Sequence, residues 1–140
     1  MIPAQTQLEL IRRFLVIEDS HERLALLVDR ARRLPPLPDE DRVPANLVQG
    51  CSSQVWLVGE LAHGVCRFRM DADSTLVKGL AAVVCEVYQD APPEQVAAFE
   101  SSLLESLHLM DHLTLTRRHG LAQVERTIRA FAAAQLSAAA

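Results

Sequence analysis

Cys51 is the residue of this sequence whose type and surroundings offer the most chemistry. It follows Gly50 in a polar turn, and the apolar, β-branched segment after Gln54 predicts that this turn enters a strand. A thiol in such a loop can act as a nucleophile, a metal ligand or a redox switch. Glycine can take backbone angles that other residues avoid, so Gly50 lets the loop extend or fold back. The opposing interpretation is a small apolar side chain tucked under the loop, because free cysteine is among the most buried residue types.

The other two cysteines, Cys66 and Cys85, are predicted to be core residues. Cys66 alternates with Phe68 and Met70 on the inward face of a predicted strand, and Cys85 lies in a predicted helix that is apolar on most sides. The sequence contains no C-x-x-C pair of the kind found in structural zinc sites. An odd number of cysteines favours free thiols over a disulfide framework.

The histidines leave one alternative open. His63 or His112 could serve as the base of a Cys/His pair with Cys51, which would make the protein a thiol enzyme. No substrate-binding motif accompanies that alternative. The sequence also has no glycine-rich phosphate loop and no G-x-S-x-G elbow, so neither a cofactor nor a metal of its own is predicted.

Composition narrows the classes of protein. The chain has 140 residues, of which 49% are hydrophobic and 23% charged, and this indicates a single domain over residues 1–140. With 14 basic and 18 acidic residues the net charge is -4, which offers no basic footprint for nucleic acid. No apolar run approaches the roughly 20 residues that span a bilayer. The N-terminus lacks a basic region followed by an apolar one, so we expect a soluble cytoplasmic protein without membrane contact.

Apolar periodicity predicts the elements that must position Cys51. Two helices come first, the second capped by Ser20 and with Arg23 turned outward or to its flank. A proline-rich break and a long loop lead to a small antiparallel sheet of about three strands, whose first strand covers 54–58 and whose first turn covers 59–64. Several helices follow, the last capped by Thr116. The fold class predicted from this order is α+β.

The cysteine segment resembles that of the SufE family, whose members are sulfur acceptors for cysteine desulfurases. Its residues 48–57 read V-Q-G-C-S-S-Q-V-W-L, and the likeness continues along most of the chain. The further matching positions are 34–38, Asp73, 77–80, 112–114, Thr116, Arg117, Gly120 and Leu121. Leu115 stands where the family often has proline, and Thr116 stands in place of serine but keeps the capping hydroxyl. The resemblance implies a SufE/NifU-like fold with the small sheet packed against the helices.

The resemblance also implies a function. Cys51 would accept persulfide sulfur from a desulfurase of the SufS/CsdA type, stimulate that enzyme and relay the sulfur to iron–sulfur cluster assembly, with a SufBCD-like scaffold as an acceptor. The protein would not itself be an enzyme, and pyridoxal phosphate would belong to the desulfurase. Gly50 would give the loop mobility, and Arg117, at the arginine of the family's terminal motif, would be a cationic neighbour of the thiol. A homodimer is compatible with such a sulfur-carrier function.

An iron–sulfur scaffold of the related U type is the second alternative. It would need several converging ligands, which here are Cys51, Cys66, Cys85 and a histidine. The predicted inward position of Cys66 argues against such a cluster.

Overall fold

The computed structural model describes residues 2–139, in which six α-helices, three short 3-10 helices and one antiparallel sheet form the regular structure. The two strands are β1, Val55–Ala62, and β2, Val65–Ala72. The helices are α1 Pro3–Leu15, α2 Ser20–Arg33, α3 Thr75–Tyr88, α4 Pro93–Ala98, α5 Leu103–Ser106 and α6 Leu115–Ala139. The predicted α+β class is confirmed. None of the helices within residues 2–139 combines the length and apolar character needed to cross a bilayer.

The core is organised around α3. This helix is apolar on most sides because it packs against α1, α2, β2 and α6 together. Leu80, Val83 and Val87 are buried along it. On the sheet, Phe68 meets Phe131 of α6 edge to face with 5.6 Å between ring centroids. The long terminal helix is thereby held against the sheet, which brings its first turns beside the loop that enters β1.

The predicted number of strands, about three, is wrong: within residues 2–139 the sheet has two. Where outer strands would lie, the chain makes only two isolated bridges, Leu47–Trp56 and Cys66–Ala91. A tight helical turn ends at Asn46 just before the first bridge. Pro92, which has no backbone N–H to donate, follows the second. Neither flanking segment therefore stays extended long enough to form a strand.

The first strand is also longer than predicted. It continues through Gly59 to Ala62, and the turn consists of His63 and Gly64 with φ of 53° and 80°. Two residues with positive φ form the tight hairpin turn that matches the twist of paired strands. Gly59 resembles a turn residue in sequence, but here it makes room for an aromatic ring. A Cβ at Gly59 would lie 2.8 Å from the ring of Phe131.

Both predicted helix caps are displaced by one or two residues. Asp19, not Ser20, accepts a backbone N–H in the first turn of α2, at 3.2 Å. Thr114, not Thr116, does the same for α6, also at 3.2 Å. Each pair offers two short polar side chains with similar reach, so sequence alone did not separate them.

Arg23 is buried, with 6% of its surface exposed, rather than turned outward. Its guanidinium donates to the carbonyl groups of Ile17, Glu18 and Leu107 at 2.7, 3.2 and 3.0 Å. A buried charge is tolerated because these hydrogen bonds satisfy its donors. The contact ties the turn between α1 and α2 to the end of α5.

Asp71 fastens the long loop between α2 and β1 to the sheet. Its side chain is 2% exposed and accepts the backbone N–H groups of Leu37, at 3.0 Å, and Ala72, at 2.8 Å. The same carboxylate pairs with Lys78 of α3 at 3.2 Å and with Arg42 of the loop. One carboxylate thus joins the proline-rich segment, β2 and α3.

The charges around Asp71 decide its ionisation. Burial by itself raises the pKa of Asp71, but the amides of Leu37 and Ala72 and the cations of Arg42 and Lys78 outweigh it and lower the pKa. Arg42 also lies over the ring of Trp56 in β1, 5.2 Å from its centroid. The loop is therefore held to both strands.

We expect Asp71→Asn to lower the free energy of unfolding at pH 7 by about 3 kcal/mol, because it removes the counter-charge of Arg42 and Lys78. The folded pKa of Asp71 is lowered. Its stabilisation is therefore complete above the unfolded pKa, about 3.9, and is lost as the pH falls through the folded pKa. Urea unfolding at pH 7 and at decreasing pH measures both effects.

Asp90→Asn is the matched control, because Asp90 forms an exposed pair with Arg67 at 3.0 Å. Its removal should cost less than about 1 kcal/mol at every pH. An effect of Asp71→Asn no larger than that of Asp90→Asn would contradict the role given to Asp71.

Candidate functional site

Cys51 lies in a short loop, residues 49–54, whose two ends are tied to the sheet. At one end the Val48 N–H donates to the Val55 carbonyl at 2.8 Å, and at the other the Asp73 N–H donates to the Gln54 carbonyl at 3.1 Å. Residues 49 and 50 form a turn, and among the described residues none of 49–53 makes a backbone–backbone hydrogen bond to the sheet or to α6. The loop, named the cysteine loop below, therefore has a fixed base and a tip that can move without breaking backbone pairing.

The thiol of Cys51 rests against the second turn of α6. Its Sγ lies 3.4 Å from the carbonyl oxygen of Gly120, to which the S–H donates. The residue is half-buried, and this burial raises the pKa of the Cys51 thiol. A carbonyl group accepts from a thiol but offers nothing to a thiolate. The resting cysteine is therefore protonated and a poor nucleophile.

Gly50 brings the cysteine loop close to α6. Its φ of 84° lies in the region that favours glycine. A Cβ at this position would lie 3.1 Å from Cγ of Gln123 and 3.3 Å from Nε2 of His119. A side chain at residue 50 would thus strain the backbone and press on α6 at once.

Arg117 stands in the exposed first turn of α6, one turn before Gly120. Its backbone N–H donates to Thr114, and within residues 2–139 its guanidinium makes no hydrogen bond or ion pair. Burial is the cause of the raised pKa of Cys51, with no lowering by a cation. The role of Arg117 as a cationic neighbour stays a prediction.

Within residues 2–139, neither histidine considered as a base is hydrogen-bonded to Cys51. His63 forms the hairpin turn at the opposite end of β1 from the cysteine loop. Eight strand residues at about 3.3 Å each separate the two ends. The Nε2 of His112 is 2.7 Å from the hydroxyl of Ser20, so that nitrogen is already engaged. The histidine that borders the cysteine loop is instead His119, and within residues 2–139 the Cys51 thiol is hydrogen-bonded to the Gly120 carbonyl rather than to that imidazole.

Cys66 and Cys85 are core residues, as predicted, with 0% and 3% of their surfaces exposed. Burial, reinforced by the nearby charge of Glu86, raises the pKa of Cys85 to about 12. Within residues 2–139, no three side chains from His, Cys, Asp and Glu are grouped so that they could hold one metal ion. The ligand set required by the scaffold alternative is therefore not assembled around Cys51.

Sequence reasoning missed that His119, Gly120 and Gln123 form the surface on which the cysteine loop rests. One signal was present. Gly120 lies inside a 25-residue helix, where glycine costs about 1 kcal/mol relative to alanine. Such a glycine indicates a close approach by another segment. A Cβ at Gly120 would lie 3.4 Å from Sγ of Cys51, which identifies that segment.

Comparison with known proteins identifies both a family and a fold. The family described as SufE, Fe-S metabolism associated domain, matches residues 8–132. A solution structure of a hypothetical protein from Thermus thermophilus is similar in shape, with a TM-score of 0.78 and 20% sequence identity. The similarity covers 98% of this chain and 99% of that one. At this identity the likeness shows the fold alone.

We expect Gly50→Ala to speed the alkylation of Cys51 by iodoacetamide. A positive φ costs a residue with a side chain about 1–2 kcal/mol. If the loop relieves that strain by leaving α6, its open fraction rises roughly 5- to 30-fold. Cys66 and Cys85 are buried, so the measured rate in the folded protein reports Cys51.

Gly64→Ala is the matched control, because Gly64 has a φ of 80° but a Cβ there would meet nothing within 4 Å. It should strain the hairpin turn and leave the alkylation of Cys51 unchanged. Equal acceleration by both variants would show that general destabilisation, not release of the cysteine loop, is responsible.

The alkylation rate of Cys51 should also depend on pH in a defined way. Because burial raises the pKa of this thiol, the rate should reach half its maximum at a pH above that of an exposed cysteine, about 8.5. In Gly50→Ala the midpoint should move down towards that value, because the open loop exposes the thiol. A parent midpoint at or below that of a cysteine-containing peptide would contradict the protonated resting state.

Proposed function

The chain belongs to the SufE family, and from that premise we propose that Cys51 accepts sulfane sulfur from the persulfide of a cysteine desulfurase. The family is associated with iron–sulfur metabolism. The observation that carries the proposal is the position of Cys51 at the tip of a loop with a fixed base, while both other cysteines are buried. Of the three thiols, Cys51 alone can be presented to another protein without unfolding the core.

The proposed step is an exchange at sulfur. The Cys51 thiolate attacks the outer sulfur of the donor persulfide, a bond forms between those two sulfurs, and the bond between the donor's own two sulfurs breaks. The donor cysteine leaves as a thiolate and takes up a proton, which balances the proton lost by Cys51. The transferred sulfur keeps its oxidation state, so no external oxidant or reductant is required. Access and the acidity of the leaving thiol govern the rate.

Movement of the cysteine loop is the proposed control over this step. At rest the thiol is protonated, because it is half-buried and donates to the carbonyl of Gly120. Departure of the tip from α6 removes both influences, so the pKa falls towards its ordinary value and the thiolate fraction rises. Return of the loaded cysteine to α6 would then shield the persulfide from reductants.

The partners follow from the same proposal. A desulfurase of the SufS/CsdA type would supply the sulfur, carry the pyridoxal phosphate and turn over faster because Cys51 removes its product. The loaded protein would pass the sulfur to iron–sulfur cluster assembly in the cytoplasm, with a SufBCD-like scaffold as acceptor. This protein would then be a carrier and activator rather than an enzyme, whether as a monomer or a homodimer.

Sulfur mapping tests the proposal. The protein is incubated with a candidate desulfurase and isotopically labelled cysteine, and its peptides are then analysed by mass spectrometry. We expect one labelled sulfur on Cys51 and faster desulfurase turnover. Cys51→Ser should lose both effects, because a serine hydroxyl forms no persulfide, whereas Cys66→Ala should keep both.

Two results would overturn the proposal. One is label on Cys66 or Cys85 in place of Cys51. The other is failure of any SufS- or CsdA-type desulfurase to load Cys51 while the folded protein still reacts with iodoacetamide there.

A further inference from the structure

A cavity of about 530 Å³ lies between α2, the proline-rich segment, β2 and α3. It involves none of the residues of the cysteine loop or of its resting surface on α6. The volume is within the range of ligand-binding sites, roughly 300–1,000 Å³. Its walls are largely apolar and include Leu27, Ala31, Leu37, Met70, Ala82 and Val83. The cavity is thus separate from the thiol.

The outer edge of β2 faces this cavity. The N–H groups of Cys66 and Phe68 point away from β1, because they donate to the Ala91 carbonyl and to Oε1 of Gln89, each at 2.8 Å. Backbone groups along a strand alternate in direction every residue. The N–H and C=O of Met70 therefore point the same way, and no residue of the described chain is hydrogen-bonded to them across that edge.

The chain covers this edge on both sides of Met70 but not at Met70 itself. On one side the side-chain amide of Gln89 replaces a strand, since it also donates to the Phe68 carbonyl at 2.6 Å. On the other side Leu37 is tied to Asp71. Gln89 and Leu37 both line the cavity, which consequently occupies the length of edge where a third strand would pair.

Three arginines supply hydrogen-bond donors to the lining. Arg30, Arg33 and Arg69 line the cavity, against the single acidic residue Glu86. Each arginine pairs with one carboxylate of the chain: Glu86, Asp29 and Asp41, respectively. A guanidinium carries five N–H donors, so each arginine keeps donors for a second acceptor. These remaining donors can bind a carboxylate by hydrogen bonds, although the three ion pairs leave the arginine cluster without net charge.

We propose that this cavity binds an extended peptide segment of a partner protein, which adds a strand to β2 at Met70. The peptide places an apolar side chain in the cavity and an acidic neighbour against the arginines. The unpaired N–H and C=O of Met70 need an acceptor and a donor, and a peptide backbone offers both. A carboxylate could accept from the N–H, but it has no donor for the Met70 carbonyl and would be repelled by it. Strand addition of this kind is a recurrent mode of peptide recognition.

Selection from a phage-displayed random heptapeptide library on the full-length chain supplies the probe. Enriched sequences should carry an apolar residue flanked by Asp or Glu, and the best synthetic peptide should bind the parent protein and Cys51→Ser equally. Ala82→Phe, which fills the cavity, should weaken binding at least tenfold. Ala25→Phe, on the exposed side of α2, is the matched control and should leave binding unchanged.

Two measurements on the parent protein decide the matter even if Ala82→Phe fails to fold. Single N-methylations along the peptide should weaken binding at least tenfold at the residue that pairs with Met70 and spare the residues on either side. Exchange of the Met70 amide hydrogen should slow at least tenfold in the complex. The proposal is overturned if no peptide is enriched, if Ala82→Phe binds as well as Ala25→Phe, or if Met70 exchange is unchanged. A fatty acid such as decanoate would fill the apolar cavity without adding a strand. Binding of decanoate without binding of any peptide would therefore also overturn the proposal.

Discussion

The structure around the cysteine depends on one buried carboxylate, Asp71. The long loop between α2 and β1 has little regular structure, and its conformational entropy would favour detachment from the sheet. Asp71 opposes detachment by accepting hydrogen bonds from one backbone amide of the loop and one of β2. It also forms ion pairs with one cation of the loop and one of α3. Arg42, one of these cations, extends the attachment to Trp56. The base of the cysteine loop is consequently held in place.

The tip of the cysteine loop can move because only its base is fixed to the sheet. Between the ties at Val48 and Gln54, the tip is held to α6 by side-chain and sulfur contacts alone. The contact of Cys51 with Gly120 stabilises the thiol form and disfavours the thiolate. The interaction that stabilises the resting loop therefore also lowers the reactivity of the cysteine. A carrier of a reactive sulfur would benefit from that opposition, because the group is exposed only while a partner holds the loop open.

Local patterns predicted much of this arrangement. Strand alternation placed Cys66 in the core, and the polar turn before an apolar strand placed Cys51 on a loop. Each of these predictions needed only the few residues on either side of the cysteine concerned. The contact between Cys51 and Gly120 joins residues 69 positions apart, and no local pattern encodes such a distance. The absence of a third strand could not be predicted from local patterns either, since the edge of β2 is covered at Phe68 by a side-chain amide and at Asp71 by a loop rather than by a strand.

The central claim is that Cys51 takes up sulfur only when the cysteine loop leaves α6. A single-turnover experiment tests it most directly: a desulfurase loaded with labelled persulfide and freed of cysteine is mixed in saturating amount with this protein. We predict that label lost from the desulfurase appears on Cys51 one for one, and that Gly50→Ala raises the limiting rate while Gly64→Ala does not. An identical limiting rate in the parent and in Gly50→Ala would contradict the claim.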